Sequence, residues 1–412
     1  MRDKPYCKAP WIGLSYTGTE GCKPCCEWKG KFFAGSYTDY LKSDYLKDFK
    51  TMMYNDEMHS DCMECIHNEK VLDIMPNPDI PISRRLKFMK YDIGDGLVRL
   101  DYRPGNKCNM KCRMCGAHSS SLWEEENIKY FGPGEAVPKI DTSDVYDIDF
   151  SNLDKIMILG GEPSVDLEVR KFIDWVAQIT HCPIGITTNC SNASAKWFKT
   201  IKKIKRLELT LSIDGTGDIQ DYQRKGSEWA KIKQNILKYK EEFGEDFTDS
   251  NIQIQLTASA INMPVIDRWW DELLSMGVRM SFGVVHYPIN QNIDAVPDKF
   301  KLQSYEWLAN WKDNLIEPPL TSMNNRSELL RYRLWQNHIS AVEQCMTILE
   351  ASKYNDNYSK QFYERTIELD NIRNENIYDI DPRFKEIMKA GRHENYTLNE
   401  PEGSTDAHQY EG

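Results

Sequence analysis

The amino-acid sequence predicts an α/β fold with a mainly parallel sheet. Between residues 93 and 300, six short β-rich runs alternate with amphipathic helical stretches. Alternation of strands and helices favours parallel pairing, because each parallel connection needs a crossover. The pattern fits an open doubly wound sheet or a complete or partial barrel. In each of these folds, the chemistry collects at the carboxyl ends of the strands.

The predicted elements follow one another along this middle region. The six predicted strands are 96–103, 154–161, 183–189, 206–214, 251–261 and 278–287, and the three predicted helices are 164–179, 227–243 and 264–277. In the second helix, apolar side chains recur at i, i+3, i+7 and i+10, which is the helical period. The third helix has a proline near its start and a glycine at its end, the usual asymmetry of helix termini.

Composition predicts three zones and a tail. Residues 1–92 are rich in cysteine, residues 93–300 carry the strand–helix alternation, and residues 301–395 form a helical C-terminal extension. The polar segment 396–412 is predicted to be disordered, because it has too few apolar residues to bury.

Charge and cysteine content narrow the function classes. The 412 residues carry a net charge of −11, which argues against broad nucleic-acid binding, because such binding neutralises phosphates with basic side chains. No apolar run is long enough to span a membrane, and the first residues lack the apolar region of a secretory signal. We therefore expect a cytoplasmic protein without a membrane segment. In a reducing compartment, twelve cysteines indicate metal ligation rather than disulfides.

Three cysteines follow the first predicted strand directly. Cys108, Cys112 and Cys115 have spacings of four and three, with no fourth cysteine nearby. Thiolates suit zinc or an iron–sulfur cluster. A structural zinc needs a fourth ligand, for which His118 is the candidate. A [4Fe–4S] cluster on three cysteines leaves one iron open for a small molecule, and the lack of paired CxxC hooks favours this alternative.

Three further motifs sit at predicted strand ends. GGEP (160–163) follows the second strand, TTNC (187–190) ends the third and SIDG (212–215) ends the fourth. The glycines allow close backbone approach, and the glutamate offers an acceptor for an ammonium group. Together, CxxxCxxC and GGEP resemble the radical S-adenosylmethionine (SAM) superfamily over about residues 96–290. The resemblance implies a partial (β/α)6 TIM-like barrel, a [4Fe–4S] cluster and bound SAM.

The resemblance also implies roles for individual residues. The SAM-binding set it implies is Gly160, Gly161, Glu162, Pro163, Asn189, Ser212, Asp214 and Arg224. The glycines and the glutamate would face the SAM amino group, and the arginine would pair with its carboxylate. Cys190 stands where the family usually has glycine, and we expect it to be a small buried residue. No residue is singled out as catalytic acid or base.

The N-terminal cysteines allow two interpretations. Two CxxC hooks, Cys22 with Cys25 and Cys62 with Cys65, predict a zinc ribbon. The same segment resembles the twitch and SPASM modules of radical SAM enzymes, although those modules usually follow the barrel. That resemblance implies a second, auxiliary [4Fe–4S] cluster on Cys7, Cys25, Cys62 and Cys65, with Cys26 as the alternative to Cys25. Cys22 is then an extra cysteine.

The sequence thus predicts a radical SAM enzyme of the twitch/SPASM type. It would cleave SAM to a 5′-deoxyadenosyl radical that abstracts a substrate hydrogen, and a reducing partner such as flavodoxin or ferredoxin would supply the electron. The resemblance implies a peptide or protein substrate first. Dehydrogenation of a sugar alcohol or aminocyclitol and modification of a nucleotide are alternatives, as is a non-enzymatic, zinc-stabilised binding or scaffold protein.

Overall fold

The computed structural model describes residues 6–62, Cys65, Glu69, 83–243, 252–322 and 325–392. The predicted tail at 396–412 lies outside the described residues. The chain divides into two compact units. The first comprises the described residues up to Asn109, with Ala117–Thr187 and Ser194–Glu208. The second comprises Met110–Gly116, Thr188–Ala193 and the described residues from Leu209 onward. The predicted domain boundaries at 92, 300 and 395 stay predictions.

Within the described residues, strands and helices alternate along most of the chain. The strands are β1 (Gly13–Thr17), β2 (Gly21–Lys23), β3 (Arg99–Arg103), β4 (Lys111–Cys112), β5 (Lys155–Ile158), β6 (Ile184–Thr188), β7 (Leu207–Ser212), β8 (Arg224–Lys225), β9 (Ile252–Ala258) and β10 (Met280–Val284). The six strands predicted for the middle region correspond to β3, β5, β6, β7, β9 and β10. The predicted α/β fold class is confirmed.

The first unit is built on parallel strands. β1, β3, β5 and β6 pair in parallel in that order, and β2 adds an antiparallel edge to β1. Its helices are α1 (Ala9–Ile12), α2 (Tyr37–Lys42), α3 (Asp44–Tyr54), α4 (Arg84–Met89), α5 (Ser121–Phe131), α6 (Leu167–Ile179) and α7 (Ala195–Ile201). α6 begins where Asp166 accepts a hydrogen bond from the Glu168 N–H, and it buries Phe172 against Tyr102 with ring centroids 4.5 Å apart. Burial of such aromatic and aliphatic side chains stabilises this layer.

β1 is the longest of the strands that the sequence does not predict. β1 lies in the cysteine-rich segment, all five of its residues are buried, and it pairs with β3 in register from Gly13 with Arg99 to Thr17 with Arg103. The segment GLSYT is only five residues long and stands between cysteine motifs, so we do not predict a strand there, although Leu14, Ser15, Tyr16 and Thr17 alternate between apolar and polar side chains. The N-terminal segment therefore contributes directly to the parallel sheet of this unit.

The second unit has its own parallel strands. β7, β9 and β10 pair in parallel in that order, and β4 pairs with β8 as a two-residue antiparallel ladder. Burial alternates strictly along β9, because its apolar residues face the core and its polar residues stay half-buried. The helices are α8 (Gly217–Gln223), α9 (Trp229–Phe243), α10 (Trp270–Ser275), α11 (Asp298–Asp313), α12 (Arg326–Ala351), α13 (Asp356–Arg373), α14 (Ile377–Ile380) and α15 (Arg383–Gly391).

The C-terminal helical extension is confirmed, and one of its helices covers a strand edge. In α12, the Asn337 side chain accepts from the Met280 N–H at 2.7 Å and donates to the Met280 carbonyl at 3.2 Å. Seven residues on, Gln344 accepts from the Phe282 N–H at 3.3 Å. Side-chain amides thus take the hydrogen bonds that an added strand would otherwise make with β10.

One predicted helix is wrong in its extent. The segment predicted as a helix over 264–277 begins as a 3₁₀ segment, Met263–Arg268, in which Val265 has non-helical φ and ψ. The regular helix α10 covers only Trp270–Ser275. In the described part of the chain, no helix is long and apolar enough to cross a membrane.

Candidate functional site

In the first unit, hydrogen bonds fix the loop that leads from β3 to Cys108. Cys108 is half-buried, and its N–H donates to Ser121 Oγ at 3.3 Å, where α5 begins. Two residues earlier, Asn106 Nδ2 donates to the Ala117 carbonyl at 2.8 Å and to Glu124 Oε2 at 2.7 Å. These bonds fix the backbone on both sides of the first cysteine.

A buried carboxylate holds this end of the loop. Glu124 accepts hydrogen bonds from Lys139 Nζ at 2.7 Å and from the Val137 N–H at 3.1 Å, in addition to the one from Asn106. Burial alone would raise the pKa of Glu124, but these three donors lower it below its ordinary value. The carboxylate is therefore charged at neutral pH and keeps the loop in place.

The GGEP turn lies directly against the residues before Cys108. The Glu162 N–H donates to the Lys107 carbonyl at 2.9 Å. A Cβ on Gly161 would stand 2.3 Å from that same oxygen and 2.6 Å from the Asn106 carbonyl, so only glycine fits. Glu162 is buried, and its Oε1 accepts from the Ser164 N–H at 3.0 Å. The GGEP turn therefore contacts the residues that immediately precede Cys108. Within the turn, Gly160 is half-buried and Pro163 is buried.

The other two cysteines belong to the second unit. Cys112 is buried on β4 and pairs with Arg224 on β8, while Cys115 is half-buried and its N–H donates to the Cys112 carbonyl at 2.9 Å. Arg224 Nη1 lies 3.9 Å from Cys112 Sγ. A hydrogen bond with Cys115 and burial raise the pKa of the Cys112 thiol, and the neighbouring guanidinium opposes this shift. The sequence predicted both a cysteine and an arginine here, and the structure places them side by side.

Asp214 holds Arg224 in this position. The Arg224 Nε donates to Asp214 Oδ2 at 2.6 Å, and the other carboxylate oxygen accepts from the Thr257 N–H at 2.9 Å. Asp214 is fully buried, its N–H donates to Gln220 Oε1, and its carbonyl accepts from Asn262 Nδ2 at 3.0 Å. Burial would lower the pKa of Arg224, but the Asp214 carboxylate and the Cys112 sulfur raise it. Asp214 therefore positions the arginine.

The end of β6 supplies a polar turn to the second unit. Asn189 is buried, and its Oδ1 accepts from the Ser191 N–H at 2.9 Å. Cys190 is fully buried, as expected, and has φ of +61°, the left-handed region that glycine adopts without strain. Asn235 Nδ2 donates to the Cys190 carbonyl at 2.8 Å and supports this conformation. Ser212, at the end of β7, is half-buried.

The N-terminal cysteines fall into two groups. Cys7, Cys25 and Cys62 pack against the aromatic cluster of Tyr6, Trp28 and Phe49 with Met53. Burial first, and the nearby Cys62 and Cys65 in addition, raise the pKa of the Cys7 thiol to about 12. Cys7 and Cys65 likewise raise the pKa of Cys25, after burial. Three of the four cysteines implied by the twitch resemblance thus pack against one apolar cluster, and the fourth, Cys65, affects the pKa of Cys7 and Cys25.

The remaining two cysteines of this segment have other partners. The Cys26 thiol accepts a hydrogen bond from Arg84 Nη2 at 3.0 Å. Cys22 is buried on β2, where its Sγ lies 3.9 Å from the Gly35 carbonyl and Asp144 raises its pKa beyond the effect of burial. The sequence left Cys25 and Cys26 as alternatives, and Arg84 could not have been assigned to Cys26 without the fold.

The cysteines implied as cluster ligands offer soft sulfur donors. Cys108, Cys112 and Cys115 carry soft sulfur atoms, and Arg224 beside Cys112 partly offsets the rise in the pKa of that thiol. His118, the candidate fourth zinc ligand, is exposed. Among the described residues, no three His, Cys, Asp or Glu side chains already converge as tightly as a metal ion requires. Three soft sulfur donors are the chemistry that an iron–sulfur cluster requires.

Comparison with known proteins gives one family match and several similar solved structures. Residues 102–252 match the Radical SAM superfamily. No curated protein matches the chain significantly. Similar solved structures include native anSMEcpe with bound AdoMet, at 16% identity and TM-score 0.36 over 53% of this chain and 61% of that one. Streptococcus suis SuiB bound to its precursor peptide SuiA gives 13% identity and TM-score 0.35 over 67% and 59%. TYW1 with a lysine-pyruvate adduct bound is 14% identical with a TM-score of 0.32, and the match covers 52% of this chain and 71% of that one. The chain thus spans under two thirds of the first two.

Proposed function

We propose that this chain is a radical SAM enzyme, because residues 102–252 match the Radical SAM superfamily, and that Cys108, Cys112 and Cys115 bind a [4Fe–4S] cluster whose open iron takes SAM. Such a cluster, when bound and reduced, supplies the electron that splits SAM into methionine and a 5′-deoxyadenosyl radical, which abstracts a hydrogen atom from the substrate. Flavodoxin or ferredoxin is the proposed electron donor. The cytoplasm is the proposed location, because the ligand thiols have to stay reduced.

One observation carries this proposal. Arg224 is aligned with Cys112 on the β4–β8 ladder, and its guanidinium lies beside the cysteine sulfur while Asp214 holds its Nε. A buried guanidinium favours an anionic ligand at this point and is suited to bind a carboxylate such as that of SAM. The non-enzymatic scaffold offers no reason for a buried arginine beside a cysteine sulfur.

The GGEP turn supports the amino-group part of the proposal. Gly161 brings the backbone of the turn into contact with the Lys107 carbonyl, next to Cys108. Glu162 is held there by its own N–H and by the Ser164 N–H. Its buried carboxylate and the turn carbonyls are acceptors that suit an ammonium group. Gly160, Pro163, Asn189 and Ser212 complete the proposed SAM-binding set.

The second proposed cofactor is an auxiliary [4Fe–4S] cluster on Cys7, Cys25, Cys62 and Cys65, as in twitch/SPASM enzymes. Its support is that Cys7, Cys25 and Cys62 pack against one aromatic cluster, and that Cys65 raises the pKa of Cys7 and Cys25. Zinc remains the alternative metal for the same four ligands. The hydrogen bond from Arg84 to Cys26 favours Cys25 as the ligand.

A peptide or protein is the proposed substrate, from the twitch/SPASM resemblance. Oxidation of a sugar alcohol or aminocyclitol is the second candidate within the enzyme class. Modification of a nucleotide is the third, and the net charge of −11 weighs against a nucleic-acid substrate.

Metal analysis tests the cofactor assignment. The full chain is purified without oxygen and assayed for iron, sulfide and zinc, beside Cys112→Ala and the control Cys182→Ala, whose half-buried cysteine belongs to neither site. We expect about eight irons per chain for the wild type and the control, and about four for Cys112→Ala. About four irons with one zinc would support zinc at the N-terminal cysteines. No iron would refute the proposal.

A further inference from the structure

An arginine inside the cysteine loop is buried in the second unit. Arg113 lies between Cys112 and Met114, and its side chain is fully buried. Its Nη2 donates to Asp370 Oδ1 and to Glu375 Oε2, the latter at 2.7 Å. A charge-assisted pair with two carboxylates is among the strongest and most directional contacts a side chain can make. The contact links the loop to a part of the chain more than 250 residues away.

The partners of Arg113 are themselves fixed. The Tyr222 ring lies under the guanidinium with its centroid 3.7 Å from Cζ, and the Tyr222 carbonyl accepts from Arg113 Nε at 3.2 Å. The Tyr222 hydroxyl donates to Asp370 Oδ1 at 2.8 Å. The Ile377 N–H, at the start of α14, donates to Asp370 Oδ2 at 2.9 Å. Asp370 is thereby held from two sides and cannot follow the arginine if the loop moves.

Further contacts pin the backbone on either side of Cys112. The Lys111 carbonyl accepts from Arg373 Nη1 at 3.0 Å, and the Arg113 N–H donates to the Gln223 carbonyl at 2.8 Å. Glu375 also pairs with Lys225 at 2.9 Å, one residue after Arg224. The end of α13 and the turn after it therefore hold both strands of the β4–β8 ladder.

The network around Arg113 consists of buried charged groups, which are a poor choice where stability alone is needed. Buried ion pairs are often no more stabilising than apolar packing of the same volume, whereas they fix one arrangement of the chain. Arg113 Nη1 also has no hydrogen-bond partner among the described residues, a cost that apolar packing would avoid. What the network does provide is a defined position for the loop that carries Cys112.

We propose that the C-terminal helical extension is a brace for the cluster loop: Asp370 and Glu375 hold Arg113, so that Cys112 keeps its place beside Arg224. Arg113 is a positioning residue, since its buried guanidinium is engaged with the protein. The proposal rests on the cluster assignment above. It follows that loosening the network should make the cluster labile and alter its signal while the rest of the unit stays folded.

The test measures anaerobic iron loss to an iron(II) chelator in the full chain. Removal of Arg113 alone would leave Asp370 buried and unpaired, which risks unfolding. The double variant Arg113→Gln/Asp370→Asn removes both charges, and Glu375→Gln weakens the pair at a partly exposed partner. The matched control is Arg365→Gln, which breaks the half-exposed pair with Glu368 on the same helix.

We expect iron loss at least tenfold faster in the double variant, a smaller increase in Glu375→Gln and no change in the control. Arg113→Lys keeps the charge without the planar fork and should fall between wild type and the double variant. The electron paramagnetic resonance signal of the reduced cluster should change in the double variant. Hydrogen exchange should rise in residues 110–116 and 222–225 and stay as in the wild type across β9.

Two outcomes would overturn the brace. Iron loss and resonance signal equal to those of the wild type would show that the network does not position the loop. Loss of exchange protection across β9 together with the loop would show that the network serves general stability. A wild type without iron would refute the cluster assignment instead, so the two failures are distinguishable.

Discussion

The substitution Gly161→Ala tests the proposed contact between the GGEP turn and the cysteine loop. The added Cβ would stand 2.3 Å from the Lys107 carbonyl, so it has to retreat by about 1.1 Å to reach the 3.4 Å of ordinary contact. Relaxation is opposed by the Glu162 N–H bond to that carbonyl and by the two bonds of Asn106. Overpacking costs about 1–3 kcal/mol, and the lost hydrogen bond about 1 kcal/mol.

We therefore expect Gly161→Ala to lower the free energy of unfolding by about 2–4 kcal/mol and to lower the affinity for SAM, because Glu162 moves with the turn. Urea unfolding followed by circular dichroism measures the first effect, and equilibrium dialysis of SAM on the reconstituted enzyme measures the second. The control is Gly134→Ala, whose added Cβ has no heavy atom within 4 Å.

The control should stay within about 1 kcal/mol of the wild type, because Gly→Ala at an open site has a small effect of that order. If Gly161→Ala unfolds at the wild-type urea concentration and binds SAM normally, the turn does not constrain the cysteine loop and the reasoning is wrong.

Three further predictions concern the SAM site, the N-terminal cysteines and the strained backbone at Cys190. Asp214→Asn should weaken SAM binding about tenfold in equilibrium dialysis, because it releases Arg224 and a charge-assisted hydrogen bond is worth at least that factor. The control Asp218→Asn, at an exposed position, should leave the affinity for SAM unchanged. Equal affinities for the two variants would show that Asp214 is not part of the site. Cys25→Ser should lose the auxiliary metal and Cys26→Ser should keep it in metal analysis, and the reverse result would exchange their roles. Cys190→Gly should change the free energy of unfolding in urea by less than about 1 kcal/mol. Relief of the strain of the left-handed backbone should offset the loss of the buried side chain and the added entropy of the unfolded chain. A larger loss of stability would show that Cys190 is not strained.

The sequence predicts the strands better than the contacts between distant segments. All six middle strands are found, because their apolar runs alternate with helical periods. β1 is missed, although Leu14 to Thr17 alternate, because the cysteines around these five residues indicate a metal-binding segment rather than a strand. The predicted helix at 264–277 is too long, because Val265 leaves the helical region before Trp270 begins a new turn.

In the candidate site, too, local sequence patterns are predicted and contacts between distant residues are not. Cys108, Cys112 and Cys115 could be singled out from local spacing, because ligands on one short loop are close in sequence. Asp370 could not, because it meets Arg113 across 257 residues and the sequence contains many aspartates. The choice between Cys25 and Cys26 depends on the direction of a side chain, and adjacent residues give no spacing signal to decide it.

The production of 5′-deoxyadenosine tests the central claim most directly. The full chain is reconstituted with iron and sulfide without oxygen, reduced, and incubated with SAM, and the nucleoside is quantified by liquid chromatography with mass spectrometry. We predict that the wild type forms 5′-deoxyadenosine and methionine in equal amounts and that Cys112→Ala forms none. Equal product from Cys112→Ala, or no product from a wild type that carries its cluster, would contradict the account.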